Sequence, residues 1–252
     1  MRHGVILLPG IITPAELAYG TLRAALPDID QLVLRDLAIY DGDAAPQDFS
    51  LDAEIASVLE VAADQGFDRF HLCGYSAGGA VAAALASRYP ERLVSLVLLE
   101  PAWLGNNDMD DEERRLFAET EQVAKLPPEQ ALSEFVRLNL APGVEPPPRP
   151  AEPPPPWMAK RPAGIRAVGA AFLSSELDTA ALARFPRPVL YVLGALSNQS
   201  LYGKRAERSR HLFSDFKLEL FEDRHHFDPP HRAEPERLAG ILREFWDRAE
   251  AK

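Results

Sequence analysis

Short runs of Val, Ile and Leu alternate with longer segments of helical period along most of this chain of 252 residues. This alternation is typical of a parallel sheet that is covered by helices on both faces. Six such runs are present, at residues 4–8, 31–34, 69–73, 93–99, 188–193 and 217–221. The pattern therefore predicts the α/β class, with a mostly parallel sheet and helices on each side of it.

The segments between these runs carry the signals that begin and end helices. Ser50 is expected to cap the start of a helix, because its hydroxyl can accept a hydrogen bond from a free backbone N–H. Leu51, Ile55 and Val58 then recur on one face, and Gly66 stands where that helix should end. We therefore expect strands and helices to alternate regularly at both ends of the chain.

The middle of the chain departs from this alternation. Between about residues 103 and 185 there is no run rich in Val and Ile, and residues 142–162 contain ten prolines in 21 positions. A segment this rich in proline favours an extended, stiff stretch on the surface. Strands of the same character lie on both sides of it, so we predict an insertion and not a linker between two domains. The predicted core is residues 1–102 and 186–252, and the insertion is residues 103–185.

Composition excludes several classes of protein. The chain has 27 Lys and Arg against 38 Asp and Glu, a formal net charge of −11. Such a chain repels phosphate backbones and anionic lipids, so neither nucleic acid nor a membrane surface is expected as a partner. The one cysteine, Cys73, permits no internal disulfide and no cysteine-rich zinc site. The apolar start at residues 5–8 is much shorter than a signal sequence or a membrane span, so we expect a soluble, cytoplasmic protein.

The sequence Cys-Gly-Tyr-Ser-Ala-Gly-Gly at residues 73–79 follows the third apolar run and opens an Ala-rich helix. Gly74-x-Ser76-x-Gly78 in this setting is the nucleophile-elbow pattern, in which a tight turn from strand to helix forces the serine into strained backbone angles. A side chain two residues before or after the serine would collide with the neighbouring chain, so glycine is required at both places. Ser76 is therefore a candidate nucleophile above the carboxyl end of the sheet.

Through this motif and its setting, the chain resembles the α/β-hydrolase family over nearly its whole length. Leu8-Pro9-Gly10-Ile11, directly after the first strand, is similar to the family's oxyanion loop, with Pro in place of the commoner His. The resemblance implies that the backbone N–H groups of Ile11 and Ala77 bind the negative oxygen of a tetrahedral intermediate. It also implies that the insertion is a cap that covers the active site and governs substrate choice.

A serine hydroxyl needs a base within hydrogen-bond reach, and the chain has six histidines. His225-His226-Phe227 follows the last predicted strand and precedes the C-terminal helix, which is where the family carries its catalytic histidine. Aligning Phe227 with the Phe of the family's Gly-His-Phe form makes His226 the candidate base. His225 is the alternative.

The third member of a serine triad is an acid, and here the chain departs from the family's usual pattern. That acid usually follows the penultimate strand, but Ser197 occupies the expected place. Some members, the haloalkane dehalogenases among them, take the acid from the end of the strand after the elbow helix. Glu100 matches that position and keeps the chain order of nucleophile, acid and base. Asp178 and the pair Glu222-Asp223 are the alternatives.

These assignments predict a serine hydrolase that cleaves an ester, thioester or lactone of a small, mainly apolar substrate through an acyl-enzyme on Ser76. Tyr75, Trp103 and Phe227 are the candidate substrate-contacting residues, and neither a metal nor an organic cofactor is implied. The missing carboxylate after the penultimate strand leaves a non-catalytic binding protein of the same fold as one alternative. A C–C bond hydrolase or an acyltransferase would use the same elbow and is another.

Overall fold

One six-stranded sheet organises the chain in the computed structural model, which describes residues 3–42, 49–123, 125–148 and 155–252. The strands are β1 (Gly4–Leu8), β2 (Leu32–Leu34), β3 (Phe70–Tyr75), β4 (Leu93–Leu99), β5 (Val189–Gly194) and β6 (Phe216–Phe221). Their order in the sheet is β2-β1-β3-β4-β5-β6, and every neighbouring pair is parallel. Each strand lies within two residues of a predicted run, and the predicted α/β class is confirmed.

Helices cover both faces of this sheet. They are α1 (Ala15–Ala24), α2 (Leu51–Asp64), α3 (Ala77–Arg88), α4 (Asp111–Val123), α5 (Pro128–Asn139), α6 (Arg161–Ser174), α7 (Thr179–Ala183), α8 (Lys204–Leu212), α9 (Pro230–Ala233) and α10 (Pro235–Glu250). Consecutive side chains of a strand point to opposite faces. In β1, Val5 and Leu7 therefore pack with α1 and α10, whereas Ile6 and Leu8 pack in the larger cluster with α2 and α3.

The start and end signals predicted from the sequence are present in α2. The Ser50 hydroxyl accepts a hydrogen bond from the Ala53 N–H at 3.4 Å, which satisfies one of the free donors of the first turn. Gly66, just after the helix, adopts a φ of +71°, a left-handed conformation that costs glycine little. The helix therefore ends where the sequence indicated.

The strand register brings three chain segments to one edge of the sheet. Leu8 at the end of β1 is paired with Gly74 of β3, and Tyr75 is paired with Leu99 of β4. The residues that directly follow these strands, Gly10 and Ser76 among them, therefore meet above the carboxyl ends, which is where ligands bind in open parallel sheets.

Helices α4 to α7 lie between β4 and β5 in the chain, and we refer to residues 103–185 as the cap. Residues 149–154 of the proline-rich segment lie outside the described residues. The part up to residue 148 has no regular secondary structure, but Pro156–Lys160 forms a 3₁₀ helix that leads directly into α6. Proline is favourable in a first helical turn, so this end of the segment is helical and not extended. The cap boundaries at 103 and 185 stay a prediction.

The loop after β5 holds the end of α5 by hydrogen bonds. The Asn198 N–H donates to the Asn139 carbonyl at 3.0 Å, and the Asn198 side-chain amide donates to the Leu138 carbonyl at 2.7 Å. The Ala141 N–H donates to the Leu196 carbonyl at 2.9 Å. In the α/β-hydrolase family, which this chain resembles, the loop after the penultimate strand usually carries the acid. Here its hydrogen bonds attach one side of the cap to the sheet.

Within the described residues, no helix combines the length and apolar character that a bilayer span requires.

Candidate active site

Ser76 occupies the turn between β3 and α3 in a strained backbone conformation, with φ of +53° and ψ of −114°. Such angles cost a non-glycine residue on the order of 1–3 kcal/mol, so the surrounding packing must enforce them. A Cβ at Gly74 would lie 2.2 Å from the Gly78 carbonyl oxygen, and one at Gly78 would lie 2.6 Å from the carbonyl oxygens of Leu8 and Pro9. The two glycines therefore let the backbone approach closely enough to hold the turn.

Three side chains form one buried chain of hydrogen bonds at this turn. The Ser76 Oγ lies 3.0 Å from His226 Nε2, and His226 Nδ1 lies 2.9 Å from Glu100 Oε2. The imidazole and the carboxylate side chains are 3% and 6% exposed. A carboxylate on Nδ1 requires the proton there, which leaves Nε2 as an acceptor for the serine hydroxyl. The arrangement can therefore remove a proton from Ser76 and carry it on the imidazole.

Glu100 follows the last residue of β4 with a φ of +44°. Ser76 and Glu100 are the two non-glycine residues with positive φ in the part of the chain that the structure describes. The second carboxylate oxygen of Glu100 accepts a hydrogen bond from the Gly194 N–H at 2.8 Å. Both oxygens are thus bonded, and the neighbouring strand β5 fixes the orientation of the acid that faces His226.

The alternative residues from the sequence have other contacts. The His225 Nδ1 accepts hydrogen bonds from the N–H groups of Phe227 and Asp228, each at 3.1 Å, so this ring closes the turn beside His226. The Asp178 carboxylate accepts from the Ala181 N–H at 2.7 Å and caps α7. Ser197, at the usual place of the acid, is completely buried, and its hydroxyl has no hydrogen-bond partner among the described residues.

The two candidate oxyanion donors lie on segments that are tied together. The Gly78 N–H donates to the Pro9 carbonyl at 3.1 Å, which links the elbow to the loop after β1. Ala77 is the first residue of α3, where a helix leaves its N–H unpaired. Within the described residues, neither the Ala77 N–H nor the Ile11 N–H donates a hydrogen bond to another protein group. Both donors are therefore available to a negatively charged oxygen.

Tyr40 holds the loop that carries Ile11. Its hydroxyl donates to the Ile11 carbonyl at 2.7 Å, and burial raises the pKa of this phenol to about 12, so the donor keeps its proton. The sequence offered no signal for this residue, which lies in a short 3₁₀ helix, Ala38–Tyr40, after β2.

Two tyrosine rings lie against the His226 imidazole. Tyr202 is stacked on it at 4.4 Å between centroids with an interplanar angle of 15°, and Tyr75 lies at 5.0 Å with an angle of 36°. The Tyr75 hydroxyl donates to the His226 backbone carbonyl, and the Tyr202 hydroxyl donates to the side-chain oxygen of Asn139 in the cap. The face of an aromatic ring attracts a cation, so these two rings suit a histidine that gains a positive charge during a proton transfer. Tyr202 was not predicted from the sequence, because its contact with His226 arises only in the folded chain.

The remaining predicted substrate-contacting residues lie at the base of the cap and beside the imidazole. Trp103 is completely buried, with its ring stacked on Phe172 and its N–H donating to the Asn106 side chain at 2.7 Å. Phe227 is partly buried and packs edge-on against both His226 and Phe135 of α5. Trp103 thus packs the start of the cap against α6, and Phe227 lies between the imidazole and the cap. Contact of either residue with a substrate stays a prediction.

Comparisons with known proteins bear on the family and on the fold. The family model described as "Alpha/beta hydrolase family" matches residues 5–241. A pimeloyl-[acyl-carrier protein] methyl ester esterase of Nitrosomonas europaea is 35% identical over 106 residues, which is 40% of this chain and 40% of that protein. An N-formylmaleamate deformylase of Pseudomonas putida is 34% identical over 101 residues, 39% of this chain and 37% of the relative. The alignments thus span about two fifths of these curated relatives.

A solved structure extends the similarity to the whole fold. The thermophilic esterase from Thermogutta terrifontis, determined with malate bound, superimposes with a TM-score of 0.74 at 18% identity. The match covers 99% of this chain and 91% of that chain. At this identity the likeness establishes a shared fold and leaves the reaction to be argued from the site.

Proposed function

This chain belongs to the alpha/beta hydrolase family, and we propose that it is a serine hydrolase that cleaves an ester, thioester or lactone of a small substrate through an acyl-enzyme on Ser76. The observation that carries the proposal is the chain of hydrogen bonds from Ser76 through His226 to Glu100, at 3.0 and 2.9 Å. A nucleophile, a base and an acid that orients the base are the three groups that acyl transfer requires.

In the proposed reaction, the Ser76 Oγ attacks the substrate carbonyl while His226 Nε2 takes the hydroxyl proton. The imidazolium is stabilised by the Glu100 carboxylate and by the faces of Tyr75 and Tyr202. His226 then gives its proton to the leaving group, and an acyl ester on Ser76 remains. Water attacks this ester with His226 again as the base, which releases the acid and restores the serine.

The negative oxygen formed in each tetrahedral intermediate would be held by the N–H groups of Ile11 and Ala77. Each such donor contributes about 3 kcal/mol to the stability of the transition state in a comparable site. The Gly78–Pro9 and Tyr40–Ile11 hydrogen bonds support this role, because they fix both donors before substrate arrives. A donor that needs no reorganisation during the reaction is the more effective one.

The relatives support hydrolysis, but they do not determine which bond is cleaved. One is a methyl ester esterase and the other a deformylase, and the Thermogutta enzyme is an esterase. Ester cleavage and deformylation are both transfers of an acyl group to water, so one site of this geometry suits both. We favour an ester because, of the two curated relatives, the methyl ester esterase has the longer alignment and the higher identity.

The experiment that tests the proposal replaces Ser76 by Ala. The wild type is expected to hydrolyse 4-nitrophenyl esters and to be labelled by a fluorophosphonate probe, whereas S76A loses the labelling and several orders of magnitude in kcat. Ser133→Ala, at an exposed position in α5, is the control and should match the wild type. Retained turnover in S76A would refute the nucleophile. A folded wild type that neither reacts with the probe nor turns over ester would favour a non-catalytic binding protein.

A further inference from the structure

The cap places one arginine in an unusual state. Arg161, the first residue of α6, is 3% exposed, and its Nε and Nη1 atoms are buried without a hydrogen-bond partner among the residues that the structure describes. Its Nη2 donates to the Asp36 carboxylate at 3.3 Å. A guanidinium has five N–H donors, of which three are on Nε and Nη1. Most of the donors of this buried cation are therefore unsatisfied.

Such a state is uncommon in a folded chain, because a buried charge normally has a full set of partners. Three other arginines in the described residues, namely Arg69, Arg187 and Arg205, have one buried nitrogen without a hydrogen-bond partner. Among the arginines that the structure describes, Arg161 is the one with two such nitrogens. One Asp36 oxygen on Nη2 leaves a complete two-donor edge of the guanidinium free, and such an edge matches the two oxygens of a carboxylate.

Arg161 is also held in place beside the candidate oxyanion loop. Its guanidinium carbon lies 3.7 Å from the centre of the Tyr40 ring and 5.5 Å from that of Trp157. The Tyr40 hydroxyl in turn bonds the carbonyl of Ile11. Gly164, one turn along α6, permits this packing, because a Cβ there would lie 2.3 Å from the Tyr40 hydroxyl oxygen. One aromatic ring thus separates the unsatisfied guanidinium from the residue that carries a candidate oxyanion donor.

We propose that Arg161 is a specificity residue that binds a carboxylate group at the far end of the substrate's acyl chain. The inference rests on the proposed function and refines its substrate class to monoesters of dicarboxylic acids, with an apolar chain between the scissile carbonyl and the charge. A chain with a net charge of −11 repels such anions in general. A buried cation that is held against the Tyr40 ring, next to the candidate oxyanion loop, would offset that repulsion locally.

The test compares two substrates of equal chain length, mono-4-nitrophenyl adipate, which carries a free carboxylate, and the neutral 4-nitrophenyl hexanoate. The wild type is expected to prefer the adipate ester. Arg161→Met should lower kcat/KM for this ester about 10- to 100-fold, the range for a lost charge-assisted pair, and change that for the hexanoate less than threefold. Arg161→Lys, which keeps the charge and loses the planar edge, should fall between. Arg166→Gln, at an exposed position of the same helix, should change neither.

The ratio of kcat/KM for the two esters separates specificity from a structural role. Arg161→Met also loses the contact with Asp36 and the stacking on Tyr40 and Trp157, and the resulting fall in Tm should affect both esters alike. Equal losses of kcat/KM for both esters, or a wild type without preference for the adipate ester, would overturn the proposal.

Binding without turnover distinguishes this inference from the proposed function. Adipate should raise the Tm of Ser76→Ala, and the rise should disappear in Ser76→Ala/Arg161→Met. If adipate binds in this Arg161-dependent way and the wild type cleaves no ester, the proposed function fails and the carboxylate site stands. If the wild type is an esterase and adipate produces no Arg161-dependent shift, the carboxylate site fails alone.

Discussion

Replacing Glu100 by Gln tests the least usual part of the proposed site. The new amide would keep an oxygen for the Gly194 N–H, which now bonds Glu100 at 2.8 Å, but would present an NH₂ group to His226 Nδ1. That contact favours the tautomer with its proton on Nε2, which cannot accept the Ser76 proton. It also removes a negative charge 2.9 Å from the imidazole, worth about 6 kcal/mol at an effective dielectric constant near 20. Since about 1.4 kcal/mol is a factor of ten, kcat should fall about 10⁴-fold.

The assay is the single-turnover and steady-state hydrolysis of a 4-nitrophenyl ester, with circular dichroism and Tm to establish folding. Glu244→Gln, at an exposed position of α10, is the matched control and should keep the wild-type kcat. A folded Glu100→Gln variant within tenfold of the wild type would refute the reasoning, because the base would then be oriented and charged by another group.

Three further substitutions have expected outcomes. Gly74→Ala places a Cβ 2.2 Å from the Gly78 carbonyl oxygen and should abolish activity and lower the Tm, whereas Gly240→Ala, with open space in α10, should be neutral or stabilise by up to about 1 kcal/mol. Tyr202→Leu, which removes the ring stacked on His226, should lower kcat about 3- to 30-fold and Tyr202→Phe less than threefold; equal losses would refute a role of the ring. Burial lowers the pKa of His71 from 6.5 to about 4. The unfolded chain therefore binds this proton at a higher pH than the folded chain does. The free energy of unfolding should fall by up to about 3 kcal/mol as the pH drops from 6.5 to 4. Urea titrations at pH 7 and 4.5 should show a smaller fall for His71→Leu than for the wild type.

Local patterns in the sequence were sufficient for the fold. Strands buried on both faces must be continuously apolar, so β1, β3 and β4 could be placed within two residues. The elbow is equally local, because the clash that excludes a side chain at Gly74 or Gly78 involves atoms of the turn itself and of the strand beside it.

Contacts between distant segments account for what the sequence did not reveal. Tyr202 reaches His226, and Tyr40 reaches Ile11, only because the sheet order brings their loops together. In the sequence, Arg161 cannot be distinguished from other charged residues on helices. Its burial depends on how α6 packs. Glu100 could be named by resemblance alone, since no local pattern separates an acid that orients a base from one that ends a strand.

The hydrogen bonds between the loop after β5 and the end of α5 have a consequence for how a protein of this design can be altered. With the candidate acid on β4, at the centre of the sheet, Leu196 and Asn198 serve attachment of the cap and contribute no group to the proton relay. The acid and the attachment by Leu196 and Asn198 thus lie on separate segments of chain, whereas Tyr202 contacts both His226 and the cap. A cap from a relative could be grafted between β4 and β5, with its own counterparts of Leu196 and Asn198, while Ser76, Glu100, His226 and Tyr202 keep their positions.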